Sequence, residues 1–283
     1  MITININLVK QLINEQFPHW AHLDIKPVVH GGNDNRTFHL GKDMSVRLPS
    51  AEGYVPQVEK EQKWLPFLAS QLTLPIQTPI AKGEPSEDYP MPWSINKWLD
   101  GEVLTHDNVN DLHQLAKDLG SFLLDLQAID SSEGPLGGAH NFHRGGDLAV
   151  YDQETRSAVA EHKKSLPIRM ITEIWDQALA TKWQTSPVWV HGDVAPGNLL
   201  VKNGKLCAVI DFGILGVGDP ACDAAIAWTF FDRASRKTLK NSLKMDDDTW
   251  DRAKGWALWK ALITYNGDHA SDAYRVISEI LER

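Results

Sequence analysis

Cysteine and long apolar stretches are scarce in this chain of 283 residues, and each scarcity excludes a class of protein. The two cysteines, Cys207 and Cys222, lie inside apolar segments, which indicates buried reduced thiols rather than a disulfide framework. No apolar run reaches membrane-spanning length, and the start (MITININLVKQL) lacks the basic and apolar regions of a secretory signal. The sequence therefore predicts a cytoplasmic protein that does not associate with membranes.

An excess of positive charge is also lacking. Lysine and arginine number 28 against 37 aspartates and glutamates, which gives a net charge of −9. This balance disfavours a nucleic-acid partner and suits a cationic small molecule, although solubility explains it equally well. A Gly-x4-Gly-Lys-Ser/Thr phosphate loop is missing as well.

The predicted secondary structure of the chain changes near Asp100-Gly101-Glu102. Before this point, hydrophobic periodicity predicts helices at 5–17 and 55–72 and short strands at 25–29, 36–40, 44–48, 76–80 and 93–99. After it, the pattern predicts a hairpin (199–202 and 206–210) among helices at 109–129, 148–163, 168–183, 220–231, 235–243, 247–265 and 270–281. The sequence thus predicts an α+β fold with two lobes. The N-lobe (1–100) carries an antiparallel β-sheet and one main helix, and the C-lobe (101–283) is mostly helical.

The most informative stretch is residues 188–213, VWVHGDVAPGNLLVKNGKLCAVIDFG. It supplies a carboxylate (Asp193), an amide (Asn198) and, after the hairpin, a second carboxylate (Asp211). Mg²⁺ prefers oxygen ligands from carboxylates, amides and nucleotide phosphates, and a further carboxylate must orient the attacking hydroxyl. The hairpin turn Asn203-Gly204 would bring Asn198 and Asp211 to the same edge of the ribbon. This order predicts metal-assisted phosphoryl transfer.

Three segments, HGDVAPGN, VIDFG and GVGDPACDAAIAW, resemble the aminoglycoside phosphotransferase family of the protein-kinase-like superfamily, whose relatives include macrolide, choline and homoserine kinases. The resemblance extends from Val28 to Tyr265 and is weaker in the N-lobe. It implies a two-lobe protein-kinase-like fold that transfers the γ-phosphoryl group of ATP (or GTP) to a hydroxyl of a small molecule. It also implies that Asp193 is catalytic and that Asn198 and Asp211 hold Mg²⁺.

The resemblance assigns nucleotide-binding residues to the loop between the first two strands and to the third strand. Gly31, Gly32 and Asn33 occupy the position of the phosphate-covering loop, where glycine lets backbone N–H groups approach phosphate. A plain hairpin turn explains the same three residues equally well. Arg47 stands where kinases usually carry a phosphate-binding lysine. Its guanidinium can bind phosphate oxygens with two hydrogen bonds at once, although arginine is not a simple substitute for lysine.

Two further assignments in the N-lobe follow from the resemblance. The ion-pair partner expected for Arg47 is Glu61 or Glu59 on the following helix, and Glu61 fits the spacing to the next Trp-Leu pair better. Backbone atoms of Lys97, Trp98 and Leu99, at the end of the strand predicted at 93–99, would bind the nucleotide base.

Several residues around the motif have structural explanations. Asp219 and Pro220 are typical of a helix start, with Asp219 as its cap. The resemblance suggests that Asp223 braces the catalytic loop through His191. The glycine-rich loop 134–146, which contains Arg144, would border the acceptor pocket; its histidines are more typical of a surface loop than of a zinc site.

The acceptor predicted first is an aminoglycoside or a related antibiotic. A macrolide or a metabolite alcohol similar to choline or homoserine is the alternative, and a nucleotide-binding pseudokinase is the non-catalytic one. A protein kinase is disfavoured, because Asp219-Pro220 follows soon after Asp211-Phe212-Gly213 and leaves little room for an activation segment. The sequence leaves open whether the protein is a monomer or a homodimer, and whether its role lies in resistance or in metabolism.

Overall fold

The computed structural model describes residues 3–28, 34–266 and 269–282, and the chain divides into two compact units. Unit 1 comprises Met1–Gly101 and Cys207–Gly213, and unit 2 comprises Glu102–Leu206 and Ile214–Arg283. Unit 1 therefore takes in a short segment from far along the chain, and this segment carries Asp211.

Unit 1 is built on a five-stranded antiparallel sheet with the order β1-β2-β3-β5-β4. Its strands are β1 (Ile25–Pro27), β2 (Asn35–Leu40), β3 (Met44–Pro49), β4 (Pro79–Gly83) and β5 (Trp93–Lys97), and its helices are α1 (Ile6–Gln16) and α2 (Val55–Gln71). Helix α1 begins at Asn5, whose side chain accepts N–H groups from Asn7 and Leu8.

The two faces of this sheet differ in chemistry, because neighbouring residues of a strand point to opposite sides. One face forms a core with the apolar side of α1 and includes Phe38, Val46, Trp93 and Ile95. Each fully buried side chain of this kind contributes about 1.5–3 kcal/mol to folding. The opposite face carries Arg47 and the polar residues aligned with it. The candidate site residue Arg47 therefore lies on the polar face of the sheet.

Unit 2 is mostly helical. Its helices are α3 (Leu112–Ala128), α4 (Asp152–Glu161), α5 (Ile168–Leu179), α6 (Ile226–Thr229), α7 (Arg233–Leu243), α8 (Asp247–Ile263) and α9 (Ala270–Leu281). Strands β7 (Val188–Val190) and β10 (Gly216–Gly218) pair antiparallel. Strands β6 (Glu102–Val103), β8 (Leu199–Lys202) and β9 (Lys205–Val209) form a sheet in the order β6-β8-β9, and β9 leads the chain from unit 2 into unit 1.

The α+β fold class predicted from the sequence is confirmed, with differences in detail. The strand predicted at 76–80 is wrong at its start, because β4 begins at Pro79. Ile76 and Gln77 lie beside the end of β9 instead. Ile76 forms a parallel bridge with Val209, and the Gln77 N–H donates to the Val209 carbonyl at 3.2 Å. The strand predicted at 93–99 ends at Lys97, and the Trp98 N–H donates outside the ladder to the Asp43 carbonyl.

Three predicted helices also differ from the structure. The helix predicted at 220–231 consists of a 3-10 turn (Pro220–Ala225) followed by the single turn of α6. The one predicted at 148–163 opens with a 3-10 turn (Leu148–Tyr151) before α4. Helix α2 continues through Pro66, which removes one backbone hydrogen bond without ending the helix. Among the described residues, no helix combines the length and apolarity needed to cross a membrane.

Candidate active site

The residues assigned from the sequence fall into two clusters, one in each unit. Arg47, Glu61 and Asp211 belong to unit 1, together with 97–99, whereas Asp193 and Asn198 belong to unit 2. Gly31, Gly32 and Asn33 lie outside the described residues.

Arg47 is the centre of the cluster in unit 1. One guanidinium nitrogen, Nη1, lies 3.2 Å from Glu61 Oε1, and the other, Nη2, lies 2.9 Å from Asp211 Oδ1. The Arg47 and Glu61 side chains are only 11% and 6% exposed, whereas that of Asp211 is 36% exposed. Of the two glutamates left open by the sequence, Glu61 is the partner. Glu59 pairs instead with Lys82 at 2.6 Å on the surface.

Burial and charge act against each other in this cluster. Burial disfavours the charged form of Arg47, but the carboxylates of Glu61 and Asp211 outweigh it, so the pKa of Arg47 lies above its ordinary value. Burial raises the pKa of Glu61, and Arg47 offsets this in part. The pKa of neighbouring Lys60 is lowered to about 8 by burial. A planar guanidinium with two carboxylate partners is thus fixed in position at a site largely shielded from water.

Gln77 holds the two acids of this cluster together, a role that the sequence did not reveal. Its side chain, in a residue 6% exposed, donates from Nε2 to Glu61 Oε2 at 3.1 Å and accepts from the Asp211 backbone N–H at 3.3 Å. Asp211 has a φ of +66°, a left-handed conformation uncommon outside glycine. Such a conformation costs about 1–3 kcal/mol and persists where the surroundings enforce it. Gln77 is one of the groups that enforce it here.

The backbone of 97–99 has a specific hydrogen-bonding pattern. The N–H groups of Lys97 and Trp98 donate to the carbonyls of Thr78 (2.9 Å) and Asp43 (2.8 Å). Within the described part of the chain, the Leu99 N–H has no partner. Of these three N–H groups, the one at Leu99 remains for a ligand.

Asn96, directly before this segment, is a second residue that the sequence analysis missed. It is 1% exposed, and among the described residues neither atom of its side-chain amide has a hydrogen-bond partner. The register pairs Asn96 with Ser45, and Ser94 with Arg47, so Asn96 and Arg47 share one face of the sheet. A buried amide without partners costs about 1–3 kcal/mol and indicates a place for a polar ligand.

In unit 2, β7 leads into the loop that carries Asp193. Gly192 has a φ of +86°, and a Cβ added there would lie 2.5 Å from the Ile214 carbonyl oxygen, so the position requires glycine. The buried carboxylate of Asp223 accepts the N–H groups of His191 and Gly192, each at 2.8 Å. Burial raises the pKa of Asp223, while His191 lowers it. The predicted bracing of this loop by Asp223 is confirmed, and it acts through the backbone N–H groups of His191 and Gly192.

Asp193 and Asn198 are joined directly. The side-chain nitrogen of Asn198 donates to the Asp193 carbonyl at 2.9 Å and to the Asp193 carboxylate at 3.1 Å. The Asp193 N–H donates to His191 Nδ1 at 3.1 Å. Asp193 is exposed although its backbone is held on both sides. An exposed carboxylate on a fixed loop can accept a proton from a bound hydroxyl compound.

Asp219 ties the segment after Asp211 to the core of unit 2. As predicted, it caps the turn Pro220–Ala225 by accepting the Ala221 N–H at 3.0 Å. It also forms a buried ion pair with Arg252 of α8, at 2.7 Å. Burial raises the pKa of Asp219, and Arg252 offsets this shift. The sequence indicated the cap but not the ion pair, since the two residues are 33 positions apart.

The donor chemistry of the implied metal ligands fits Mg²⁺. Asp211 offers carboxylate oxygens, and Asn198, whose side-chain nitrogen is used by Asp193, offers its amide oxygen. Mg²⁺ takes such oxygen ligands in small number and completes its shell with phosphate and water. Among the described residues, no three His, Cys, Asp or Glu side chains are grouped to hold a metal ion.

Several solved structures of known proteins share this fold. The GDP complex of wild-type aminoglycoside 2'-phosphotransferase-IIIa superposes with a TM-score of 0.75 at 17% identity, over 98% of this chain and 99% of that one. The GDP and kanamycin complex of APH(2")-IIia gives a TM-score of 0.74 at 18% identity, covering 96% of each chain. A macrolide 2'-phosphotransferase from Brachybacterium faecium gives 0.62 at 18%, covering 97% of each. At these identities the likeness establishes the fold.

The sequence itself carries the family assignment. A search of curated proteins finds no match. Residues 24–256, however, match the model of the phosphotransferase enzyme family. Because this match spans most of the 283 residues and agrees with the resemblance found in the motifs, the chain belongs to the phosphotransferase enzyme family.

Proposed function

We propose that this protein is an ATP-dependent O-phosphotransferase that moves the γ-phosphoryl group to a hydroxyl of a small molecule. The observation that carries the proposal is the exposed carboxylate of Asp193, held by Asn198 on a loop that the buried Asp223 fixes from below. In a loose phosphoryl-transfer transition state, this carboxylate orients the attacking hydroxyl and accepts its proton late. Membership in the phosphotransferase family supports the reaction class.

The cluster in unit 1 is proposed to bind the nucleotide. Arg47, held by Glu61, would grip phosphate oxygens, and the loop with Gly31, Gly32 and Asn33 would cover the phosphates. The segment Lys97, Trp98 and Leu99 would bind the base through backbone atoms, and the Leu99 N–H, which has no partner among the described residues, supports this. The buried amide of Asn96 lies on the same sheet face as Arg47 and would complete the contacts to the base.

Asn198 and Asp211 are proposed as the Mg²⁺ ligands. When bound, Mg²⁺ would neutralise charge on the phosphate oxygens, which is a large contribution to phosphoryl transfer. Arg47 pairs with Asp211 at 2.9 Å, so the same guanidinium would fix a metal ligand and contact phosphate. Gln77 and the left-handed backbone of Asp211 keep that carboxylate oriented.

Several classes of compound are candidates for the acceptor. Aminoglycoside and macrolide phosphotransferases share this fold with the chain at similar identities, so the fold does not select between these antibiotics. An aminoglycoside or related antibiotic was the acceptor predicted first from the sequence, with a macrolide or a metabolite alcohol as the alternative. One aminoglycoside phosphotransferase of this fold was solved with GDP and another with ATP, which supports a nucleoside triphosphate as donor without choosing the base.

A nucleotide-consumption screen tests the proposal. Purified protein is incubated with Mg²⁺ and either ATP or GTP, across a panel of aminoglycosides, macrolides, choline, amino alcohols and hydroxy acids. We expect acceptor-dependent release of the nucleoside diphosphate and an acceptor whose mass increases by one phosphoryl group. Nucleotide binding without any phosphorylated product across the panel would favour a pseudokinase instead.

A further inference from the structure

The loop before α4 brings an arginine to the base of the Asp193 loop. A Cβ placed on Gly192 would lie 3.2 Å from Arg144 Cβ, so the two backbones are in close contact directly beside Asp193. The next residue, Gly145, accepts the Asp219 N–H at 2.7 Å. All of these residues belong to unit 2. Arg144 is therefore a neighbour of the proposed catalytic carboxylate, although the two are far apart in sequence.

The backbone of Arg144 is fixed on both sides. Its N–H donates to the Asn141 carbonyl at 3.1 Å, and its carbonyl accepts from the Asn141 side chain at 2.9 Å. The two residues between them, Phe142 and His143, have φ values of +51° and +55°. Two consecutive left-handed residues that are not glycine store strain, and such strain is concentrated at binding and catalytic sites. The loop is built to hold Arg144 in one place.

The side chain of Arg144 lies over two tryptophans. Its guanidinium carbon is 4.8 Å from the ring centre of Trp256 and 5.0 Å from that of Trp259. Trp259 also stacks on Tyr151 at 3.9 Å, and its indole N–H donates to Glu154 at 2.7 Å. The two tryptophans are 1% and 5% exposed. Their ring faces orient the guanidinium, and they are too deeply buried to stack on a sugar ring.

The charge of Arg144 has no counterpart. In the part of the chain that the structure describes, it forms no ion pair, and its buried Nε has no hydrogen-bond partner. Each of the other arginines that is not exposed has a carboxylate partner: Arg47 with Glu61, Arg236 with Glu279 and Arg252 with Asp219.

The nearby carboxylates, by contrast, are engaged by donors of the protein. Asp223 accepts backbone N–H groups, Glu154 accepts from Trp259, and Asp147 pairs with Lys182. The unsatisfied group beside Asp193 is therefore a cation.

We propose that Arg144 anchors the acceptor by an oxyanion, a carboxylate or a phosphate, carried on the same molecule as the reacting hydroxyl. A guanidinium fork matches both anions with paired hydrogen bonds, and the stacked tryptophans fix its plane in advance. This proposal rests on the proposed phosphotransferase function and narrows its acceptor. A hydroxyl compound with an anionic group fits the site, and a polycationic aminoglycoside does not.

Binding to Arg144 can be measured without turnover. In ¹⁵N-labelled protein the Nε–H resonance of Arg144 is assigned by its loss in Arg144→Lys, and sodium acetate and inorganic phosphate are titrated against sodium chloride at equal ionic strength. We expect a saturable shift with acetate, with phosphate or with both, and the stronger response identifies the preferred anion. A shift equal to that with chloride, or no shift, would overturn the proposal whether or not the protein phosphorylates anything.

Kinetics provide the second test once the screen has returned an acceptor. Its anionic form is compared with the matched amide or dephosphorylated form. Wild-type protein should prefer the anionic form by about 10- to 100-fold in kcat/KM, the range expected for hydrogen bonds to a charged group. Arg144→Met, which keeps apolar packing on the tryptophans, should lose this preference with the KM for nucleotide unchanged. Arg169→Gln removes an exposed arginine and serves as the control.

Two results would contradict the proposal while leaving the phosphotransferase function intact. One is equal use of the charged and neutral acceptors by the wild-type protein. The other is a preference for the anionic acceptor that persists in Arg144→Met. Arg144→Lys keeps the charge but not the fork, so a preference reduced by about 10-fold in that variant, at unchanged thermal stability, supports paired hydrogen bonding.

Discussion

A single glutamine connects the two acids that surround Arg47. Gln77 donates to Glu61 and accepts from the Asp211 backbone, which holds the Asp211 carboxylate toward Arg47 in an uncommon left-handed conformation. Removing this amide leaves a carboxylate oxygen and a backbone N–H short of partners. The energetic consequence exceeds that of an ordinary surface hydrogen bond, because the groups are buried.

We predict that Gln77→Leu lowers the free energy of unfolding by about 1–3 kcal/mol and raises the KM for nucleotide. The physical reason is that Glu61 and Asp211 lose the group that fixes their spacing around Arg47. Chemical denaturation and steady-state kinetics measure the two effects.

Gln62→Leu is the matched control for this prediction. Gln62 also makes two hydrogen bonds within unit 1, to the Ala81 carbonyl and the Ser94 hydroxyl, each at 3.2 Å. Its loss should affect stability without a comparable change in nucleotide KM. Equal kinetic effects in the two variants would remove the special role of Gln77.

Individual side chains differ in how far the sequence could identify them. Arg47 and Glu61 stand at positions that the family pattern marks, and the family's spacing to the next Trp-Leu pair favours Glu61 over Glu59. Gln77 carries no such mark, because its partners lie 16 and 134 positions away. Arg144 is similar, since only the folded loop shows that its charge lacks a partner. Contacts of this kind depend on tertiary packing and leave no local pattern.

At the scale of elements, side-chain caps set the starts of several helices. Asn5, Asp111, Asp232 and Asp246 each accept backbone N–H groups at the start of α1, α3, α7 and α8. Asp246 accepts the Thr249 N–H, and this bond lowers the pKa of Asp246 below its ordinary value of 3.8. Helix α8 matters for the site, because it supplies Arg252, Trp256 and Trp259.

We predict that Asp246→Ala costs about 1 kcal/mol of folding stability at neutral pH. The contribution of a carboxylate with a depressed folded-state pKa is present above its ordinary value of 3.8 and is lost as the pH falls through the folded-state pKa. The difference between variant and wild type should therefore shrink below pH 3.8. Urea unfolding at several pH values measures it.

Asp248→Ala provides the comparison within the same first turn, since Asp248 is exposed and does not cap the helix. It should cost a few tenths of a kcal/mol, through its favourable position at the positive end of the helix. A loss of stability in Asp246→Ala that is independent of pH would contradict the assigned capping role.

The sequence predicted long, periodic elements well and short ones poorly. Helices α1, α2, α3 and α8 begin and end within a few residues of their predicted positions, because apolar spacing and caps define them. Strands β6 and β10, with two and three residues, have too little pattern to be recognised. The segment at Ile76 follows β9 through a bridge that no local signal indicates.

At the scale of the whole molecule, the proposed ligands should stabilise the folded state. A ligand at 100 times its dissociation constant adds about 2.7 kcal/mol, provided that it binds only the native protein. We predict that ATP with Mg²⁺ raises the melting temperature by about 5 °C. Removal of the metal with EDTA should reduce this rise, and calorimetry measures both values.

Asp211→Asn should lose most of the part of this stabilisation that depends on Mg²⁺, because the amide carries no charge to bind the ion. An identical rise with and without EDTA in the wild-type protein would argue against a metal-dependent nucleotide site.

The overall architecture could be predicted from the sequence, because a single motif contains the residues whose order indicates the chemistry. The loop with Asp193, the hairpin and the Asp-Phe-Gly segment follow one another directly along the chain, and the family match extends across residues 24–256. The identity of the acceptor could not be predicted in the same way. In our proposal, acceptor recognition involves the loop 134–146, whose conformation follows from packing against α8 and the Asp193 loop.

The most direct test of the account is the turnover of Asp193→Asn with the acceptor that the screen identifies. The substitution keeps the shape of the side chain and removes its ability to accept a proton. We predict that kcat falls by about 10²- to 10⁴-fold while the affinity for the Mg²⁺–nucleotide complex stays within the range of the control Asp248→Asn. Turnover in Asp193→Asn equal to that of the wild-type protein would contradict it.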